Sequence, residues 1–332
     1  MRVTKYASVN TQFLYFARGD VVEASVPAPT ANVVCGVRWG RPDALFTPAY
    51  WLTQLWMVNA TTPTVSHRIG ATLAEEVAAC MLGGHGIPAE IGLLAFERLQ
   101  RSQLIARLCA DEHEIAQILR TPFGIRGRSV TYRFWSQKAR YLSAAFRLMA
   151  SAAPPCQAAL PLREYLLGIP GVGYKTASWI VRNWLNSDEV AVLDIHIIRA
   201  GQLMGLFTAR DDVARHYVSM EARFLAVARA MNVSAADLDA LIWRQMRESP
   251  KIVARALASI QSREDPSVDC GSPISAKPVA TPRNGRSRTS LSRWGDPVAP
   301  RILKGRPSPA ATTAACPRRT PASLCKSSDG ET

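Results

Sequence analysis

The hydrophobic pattern of this chain is helical over most of its length. Leu73, Val77, Cys80 and Met81 fall on one face of a helix, with Glu75 and Glu76 placed away from it, and the run stops at Gly83-Gly84-His85-Gly86. A second helix opens at Pro88 and carries Ile91, Leu94, Ala95 and Leu99. Ile115, Ile118 and Leu119 mark a short helix ended by Thr121-Pro122, and another helix opens at Phe134. Residues 162–167 suit a short helix. From Gly173 onward Ala177, Ile180, Val181, Trp184 and Leu185 recur at helical spacing. Later helices are predicted from Asp194 through Leu206 and over about 211–231. The last is capped by Ser234, with Asp237 three places on and Leu238, Leu241 and Ile242 buried.

The first 68 residues read differently. Residues 21–26 suit a strand, 38–43 a loop, and Thr47-Pro48 the cap and first turn of a helix through Met57. That helix is aromatic, with Tyr50, Trp51 and Trp56, rings that serve either a core or the stacking of an extruded base. Residues 124–128 form a basic loop. Nothing in the pattern repeats, and no Walker loop or dinucleotide fingerprint occurs. The predicted fold class is all-α, with an N-terminal segment 1–68, a core over 69–262 and a tail over 263–332.

Charge changes the picture. Lys and Arg outnumber Asp and Glu by 40 to 26, a net +14 with a pI near 9.9, which points to a polyanionic partner. The last 70 residues hold 10 of the 22 prolines with few large apolar side chains, the composition of a disordered basic tail. Setting them aside leaves 28 basic against 20 acidic residues, so the folded part keeps a surplus of its own. No apolar run reaches the length of a membrane span and the N-terminus has no signal-like core, so a cytoplasmic, nucleoid-associated protein with no membrane partner is expected. The seven cysteines lie far apart without a CxxC pair, so they read as free thiols, and no metal site or iron-sulfur cluster is expected.

The most informative stretch is 167–199. Gly168-Ile169-Pro170-Gly171-Val172-Gly173 is a tight turn between two helices, and the amides opening the second helix lack intrahelical acceptors. Such a turn seats one phosphate, and none of its side chains reads a base. Lys175 follows in the first turn, sharing a side with Ser178, Trp179 and Arg182 and pointing out of the core. Nineteen positions on, after the apolar Val192-Leu193, Asp194 stands where a helix begins, a favoured cap.

A G-(I/V)-G-x-K-x-A hairpin followed by V-x-D-x-H-I resembles the helix-hairpin-helix DNA glycosylase superfamily, over about residues 70–262. The resemblance implies a two-lobed helical fold in which Lys175 attacks C1′ of a damaged nucleotide and Asp194 assists base departure. It implies a bifunctional glycosylase and AP lyase working through a Schiff base. It favours 8-oxoguanine, because the four cysteines that follow the aspartate in the cluster-bearing branch are missing. DNA contacts are expected from Gly168, Pro170, Gly171, Val172 and Gly173. Lys138 joins them, since 134–141 resembles the family's (G/F)-(Y/F)-x-x-K-A element, a solvated basic face being the other reading. The superfamily places a wedge loop where Gly83-Gly84-His85-Gly86 stands. His85 is the candidate wedge, or an exposed residue of a helix-ending turn. His196 reads as a packed or capping residue. The expected partner is double-stranded DNA holding a damaged base, met by a monomer. Two alternatives stay open: a glycosylase for another damaged or modified base, and a non-catalytic phosphate clamp.

Overall fold

The computed structural model describes residues 9–261, apart from 18, 62–66, 85 and 126. Its strands are short. β1 (Thr11–Ala17) and β2 (Asp20–Val26) form an antiparallel hairpin, and β3 (Asn32–Val34) pairs with β4 (Val37–Arg38) just before the expected loop. α1 (Pro48–Thr61) follows, with Thr47 Oγ1 accepting from the Tyr50 amide as the cap requires. Then come α2 (Leu73–Leu82), α3 (Ala89–Arg101) and α4 (Glu112–Arg120). The basic loop is a two-stranded hairpin of β5 (Phe123–Ile125) and β6 (Arg128–Val130). After α5 (Trp135–Ser151) come α6 (Ala159–Leu167) and α7 (Tyr174–Leu185), the two arms of the expected hairpin. α8 (Ile195–Leu203), α9 (Val213–Ala230), α10 (Ala235–Glu248) and α11 (Pro250–Gln261) complete the described chain. α11 was not anticipated: the helix from Ser234 ends at Glu248, and Pro250 opens a new one, since a proline is tolerated in a first turn. The tail expected over 263–332 lies outside the described residues.

Two apolar cores organise these elements. One is built by α2 to α7 and includes Leu82, Leu99, Ile115, Phe146, Ala177, Ile180 and Val190. The other joins the N-terminal strands and α1 to residues from Ala191 onward, including Trp51, Leu193, Phe224 and Ile242. The chain passes from the first core to the second between Val190 and Ala191. Trp51 and Trp56 belong wholly to the second core, so these two rings serve packing, while Tyr50 is half-buried with its hydroxyl donating to Gln245 Oε1 at 2.6 Å. Among the described cysteines, Cys80 and Cys109 are buried thiols, as expected.

Glu76 overturns its amphipathic assignment. Its side chain is fully buried: Oε2 accepts from the amides of Ile69 and Gly70 at 2.7 and 2.8 Å, and Oε1 from Asn183 Nδ2 at 2.7 Å. It fastens the segment before α2 to α7. Glu75 is half-buried, completing a capping box with Thr72 and accepting from Gln100 Nε2 at 3.0 Å. Replacing Glu76 by Ala leaves two buried donors, the Gly70 amide and Asn183 Nδ2, and the part-buried Ile69 amide without their acceptor, and each buried donor costs about 1–3 kcal/mol. Glu76→Ala is expected to lower unfolding free energy by on the order of 3 kcal/mol or more, measured by urea denaturation, against a change below about 1 kcal/mol for Glu75→Ala.

Candidate active site

The hairpin turn is shaped by two buried and several exposed positions. Ile169 and Val172 insert into the α2–α7 core, while Gly168, Pro170, Gly171 and Gly173 lie on the outside. Gly171 has φ +80, and a Cβ there would stand 2.2 Å from the Tyr141 ring, so glycine is required both by conformation and by space. The Val172 amide donates to Ile169 O at 3.0 Å, closing the turn, so its contribution is packing and shape. The amides of Gly173, Tyr174 and Lys175 have no acceptor among the described residues, and no side chain caps α7. They form the open, positive end of the helix.

Tyr141 brings α5 against this turn. Lys138, one turn earlier on the same face, is half-buried, and that burial lowers the pKa of its ammonium. His85 lies outside the described residues. Its neighbours Gly84 and Gly86 take φ +99 and +74, which a glycine-made turn supplies.

Lys175 is half-buried in the first turn of α7. The expectation that its whole side of the helix faces outward fails one turn on. Ser178 is fully buried with its Oγ donating to Glu221 Oε1 at 3.2 Å, and Arg182 pairs with Asp239 Oδ2 at 2.8 Å. Polar side chains off an apolar stripe here meet acids from the second core, α9 and α10, instead of water. The same Glu221 Oε1 accepts from the Ala191 amide at 2.9 Å. One carboxylate thus holds a residue three places after Lys175 and a residue three places before Asp194.

Asp194 caps α8 as anticipated. Its Oδ1 accepts from the amides of His196 and Ile197 at 2.8 and 2.9 Å, which leaves Oδ2 without a capping duty. His196 is half-buried and meets the Trp243 ring edge-on at 6.4 Å. Trp243, on α10, is 38% exposed, with the Arg247 guanidinium 4.8 Å from its ring centre. Sequence reasoning passed over this tryptophan. The signal was its place off the Leu238, Leu241 and Ile242 stripe, where a large aromatic residue on a solvent face needs a reason.

A mostly helical two-core fold, a glycine-turned hairpin with a lysine in the first turn of its second arm, and an aspartate capping the next helix define the class: helix-hairpin-helix DNA glycosylases. Within that class the chain belongs to the 8-oxoguanine DNA glycosylase family, whose model matches residues 64–233. It is 33% identical over 144 residues to the 8-oxoguanine DNA glycosylase/AP lyase of Saccharolobus solfataricus, and 31% identical over 144 residues to that of Saccharolobus islandicus. Each alignment covers 40% of this chain and 65% of the relative. The chain thus spans a little under two thirds of the length of these curated relatives. Among solved structures, the 8-oxoguanine DNA glycosylase of Thermotoga maritima aligns at 23% identity and TM-score 0.47, over 59% of this chain and 95% of that one. The Methanocaldococcus jannaschii 8-oxoguanine glycosylase/lyase in complex with a 15mer DNA containing 8-oxoguanine aligns at 21% and 0.40, over 61% and 90%.

Burial pushes the Asp239 carboxyl from 3.8 up to about 6, with the Arg182 guanidinium opposing and the Asp194 carboxylate reinforcing. A carboxyl raised in the folded state favours the protonated native form. Its contribution is fully present below pH 3.8 and is lost as pH rises through about 6. The loss amounts to about 3 kcal/mol. The stability of Asp239→Asn relative to the unmodified protein is therefore expected to rise between pH 4 and pH 6.5, measured as paired urea midpoints. A difference independent of pH across that window would contradict the shift.

Proposed function

We propose that this chain is a bifunctional DNA glycosylase and AP lyase that removes 8-oxoguanine from duplex DNA in base excision repair. The observation that carries the reading is the fastening of the Lys175 helix and the Asp194 cap to one buried carboxylate, Glu221, with Asp194 keeping an oxygen free of its capping bonds. A phosphate clamp has no need of that second segment.

The open amides at the start of α7 and the exposed glycines of the hairpin take a backbone phosphate, and Lys138 takes a neighbouring one. Extrusion of the damaged nucleotide costs a few kcal/mol of lost stacking, and the flat face of Trp243 beside His196 offers a surface on which the base restacks. Lys175 Nζ, as the neutral amine, bonds to C1′ while the bond from C1′ to the base nitrogen breaks and its electron pair leaves with the base. Asp194 Oδ2 stabilises positive charge on the sugar during that exchange. Opening of the ring gives a Schiff base between Lys175 and C1′. Loss of a C2′ proton then expels the 3′ phosphate and nicks the strand. The sequence uses side chains and water alone. The base assignment rests on family membership and on the curated relatives.

Borohydride trapping on a duplex with one 8-oxoguanine opposite cytosine is expected to give a covalent adduct that Lys175→Gln abolishes. Asp194→Asn should slow excision by roughly 10²–10⁴-fold while DNA affinity changes little. An adduct on abasic duplexes alone would discard the base assignment and keep the chemistry. Adduct formation undiminished in Lys175→Gln would sink the assignment of the nucleophile.

A further inference from the structure

We propose that Tyr217 and Glu221, one turn apart on α9, are positioning residues that set where Asp194 stands relative to Lys175. The inference rests on the roles given above to those two residues. It concerns what holds them in register.

Residues 190–194 form an irregular stretch that pairs with no strand among the described residues. Buried backbone groups there need partners from elsewhere. Two side chains of α9 supply them. The Tyr217 hydroxyl donates to Ala191 O at 2.7 Å and accepts from the Leu193 amide at 3.2 Å, and Glu221 Oε1 accepts from the Ala191 amide. Leu193 is the residue next to Asp194. Within the stretch itself, the Asp194 amide donates to Val192 O at 3.0 Å, so the backbone leading to the cap is fixed from Ala191 onward.

The same two side chains reach α7 on either side of Lys175. The Tyr217 ring stacks on Tyr174 with centroids 5.4 Å apart and planes inclined by 20°, and Glu221 accepts from Ser178 Oγ. Tyr174 precedes Lys175 and Ser178 lies one turn after it. The ring of Tyr174 is also approached by the Arg163 guanidinium at 5.5 Å, and Arg163 Nη1 bonds Glu221 Oε2 at 2.5 Å. Tyr217 is buried, and that burial raises the pKa of its phenol, so the hydroxyl keeps its proton for Ala191 O at working pH. Neither side chain need touch substrate. A displacement of about 1 Å in a catalytic group costs about 10²-fold in rate, so a brace that ties both segments to one helix acts on the reaction through geometry.

Tyr217→Phe tests this, because it keeps the ring against Tyr174 and removes only the bonds to Ala191 and Leu193. Two single-turnover rates are compared in the full chain: excision of 8-oxoguanine, which needs Lys175 and Asp194 together, and borohydride trapping on a preformed abasic site, which needs the lysine and an aldehyde. The trapped amplitude at excess abasic DNA counts correctly folded enzyme and corrects both rates for any loss of it. The expected result is a fall in excision at least roughly tenfold larger than the fall in trapping, the direction shown in full by Asp194→Asn. Equal falls in the two rates, or none in either, would overturn the brace while leaving the nucleophile in place. Absence of any adduct with the unmodified protein would overturn both readings together.

Discussion

Two buried ion pairs hold the molecule's halves in one arrangement. Arg163 on α6 meets Glu221 on α9, and Arg182 on α7 meets Asp239 on α10, with all four side chains less than one-tenth exposed. Each helix of the hairpin sends one arginine into the opposite core, and each acid comes from that core. Burying a charge costs several kcal/mol, and an ion pair recovers that only with good geometry and further hydrogen bonds. Glu221 has them from Ser178 and Ala191. Such pairs add less to stability than an apolar seam of equal area would, but they tolerate one register only. For a site assembled from segments 19 residues apart, a single register is the more useful property.

The seam explains how α7 serves three ends at once. Ala177, Ile180 and Val181 bind it to the α2–α7 core, while Ser178 and Arg182 bind it to the acids of α9 and α10. Asn183 and Glu76 secure its later turns to the chain entering α2. What remains uncovered is the first turn, with its uncapped amides and Lys175 at the border between protein and solvent. Gly171 matters here because it lets the Tyr141 ring close on the turn from the α5 side. Lys175 thereby stands on a helix that is fixed on every side except at its first turn.

Much of this was legible from sequence, for reasons that separate local from distant physics. The hairpin, the Asp194 cap and most helix ends depend on residues a few positions apart, and glycine, proline and capping side chains announce them. Glu76, Ser178 and Arg182 were misread because periodicity treats every polar residue off the apolar stripe as solvated. Their partners are Asn183, Glu221 and Asp239, from 43 to 107 positions away. The hairpin of β5 and β6 is three residues per strand, too short for alternation to show. Pro250 broke what the pattern ran together, separating α11 from α10. Trp243 was passed over because an exposed aromatic side chain has no periodic signature of its own.

The two aspartates near the seam show why accessibility must be weighed beside titration. A carboxyl held near 6 is the kind of group that a search for acid and base catalysts selects, and on that criterion Asp239 would be chosen. Asp239, however, is closed off from solvent and spends its Oδ2 on Arg182. Its raised value is the signature of burial, with the guanidinium limiting the rise. Asp194 is half-exposed, keeps one oxygen clear of its capping bonds, and opens the helix that follows the braced segment. Neighbouring carboxyls in different environments take different tasks. Here the buried one locks α7 to α10, and the half-exposed one caps α8 with one oxygen to spare.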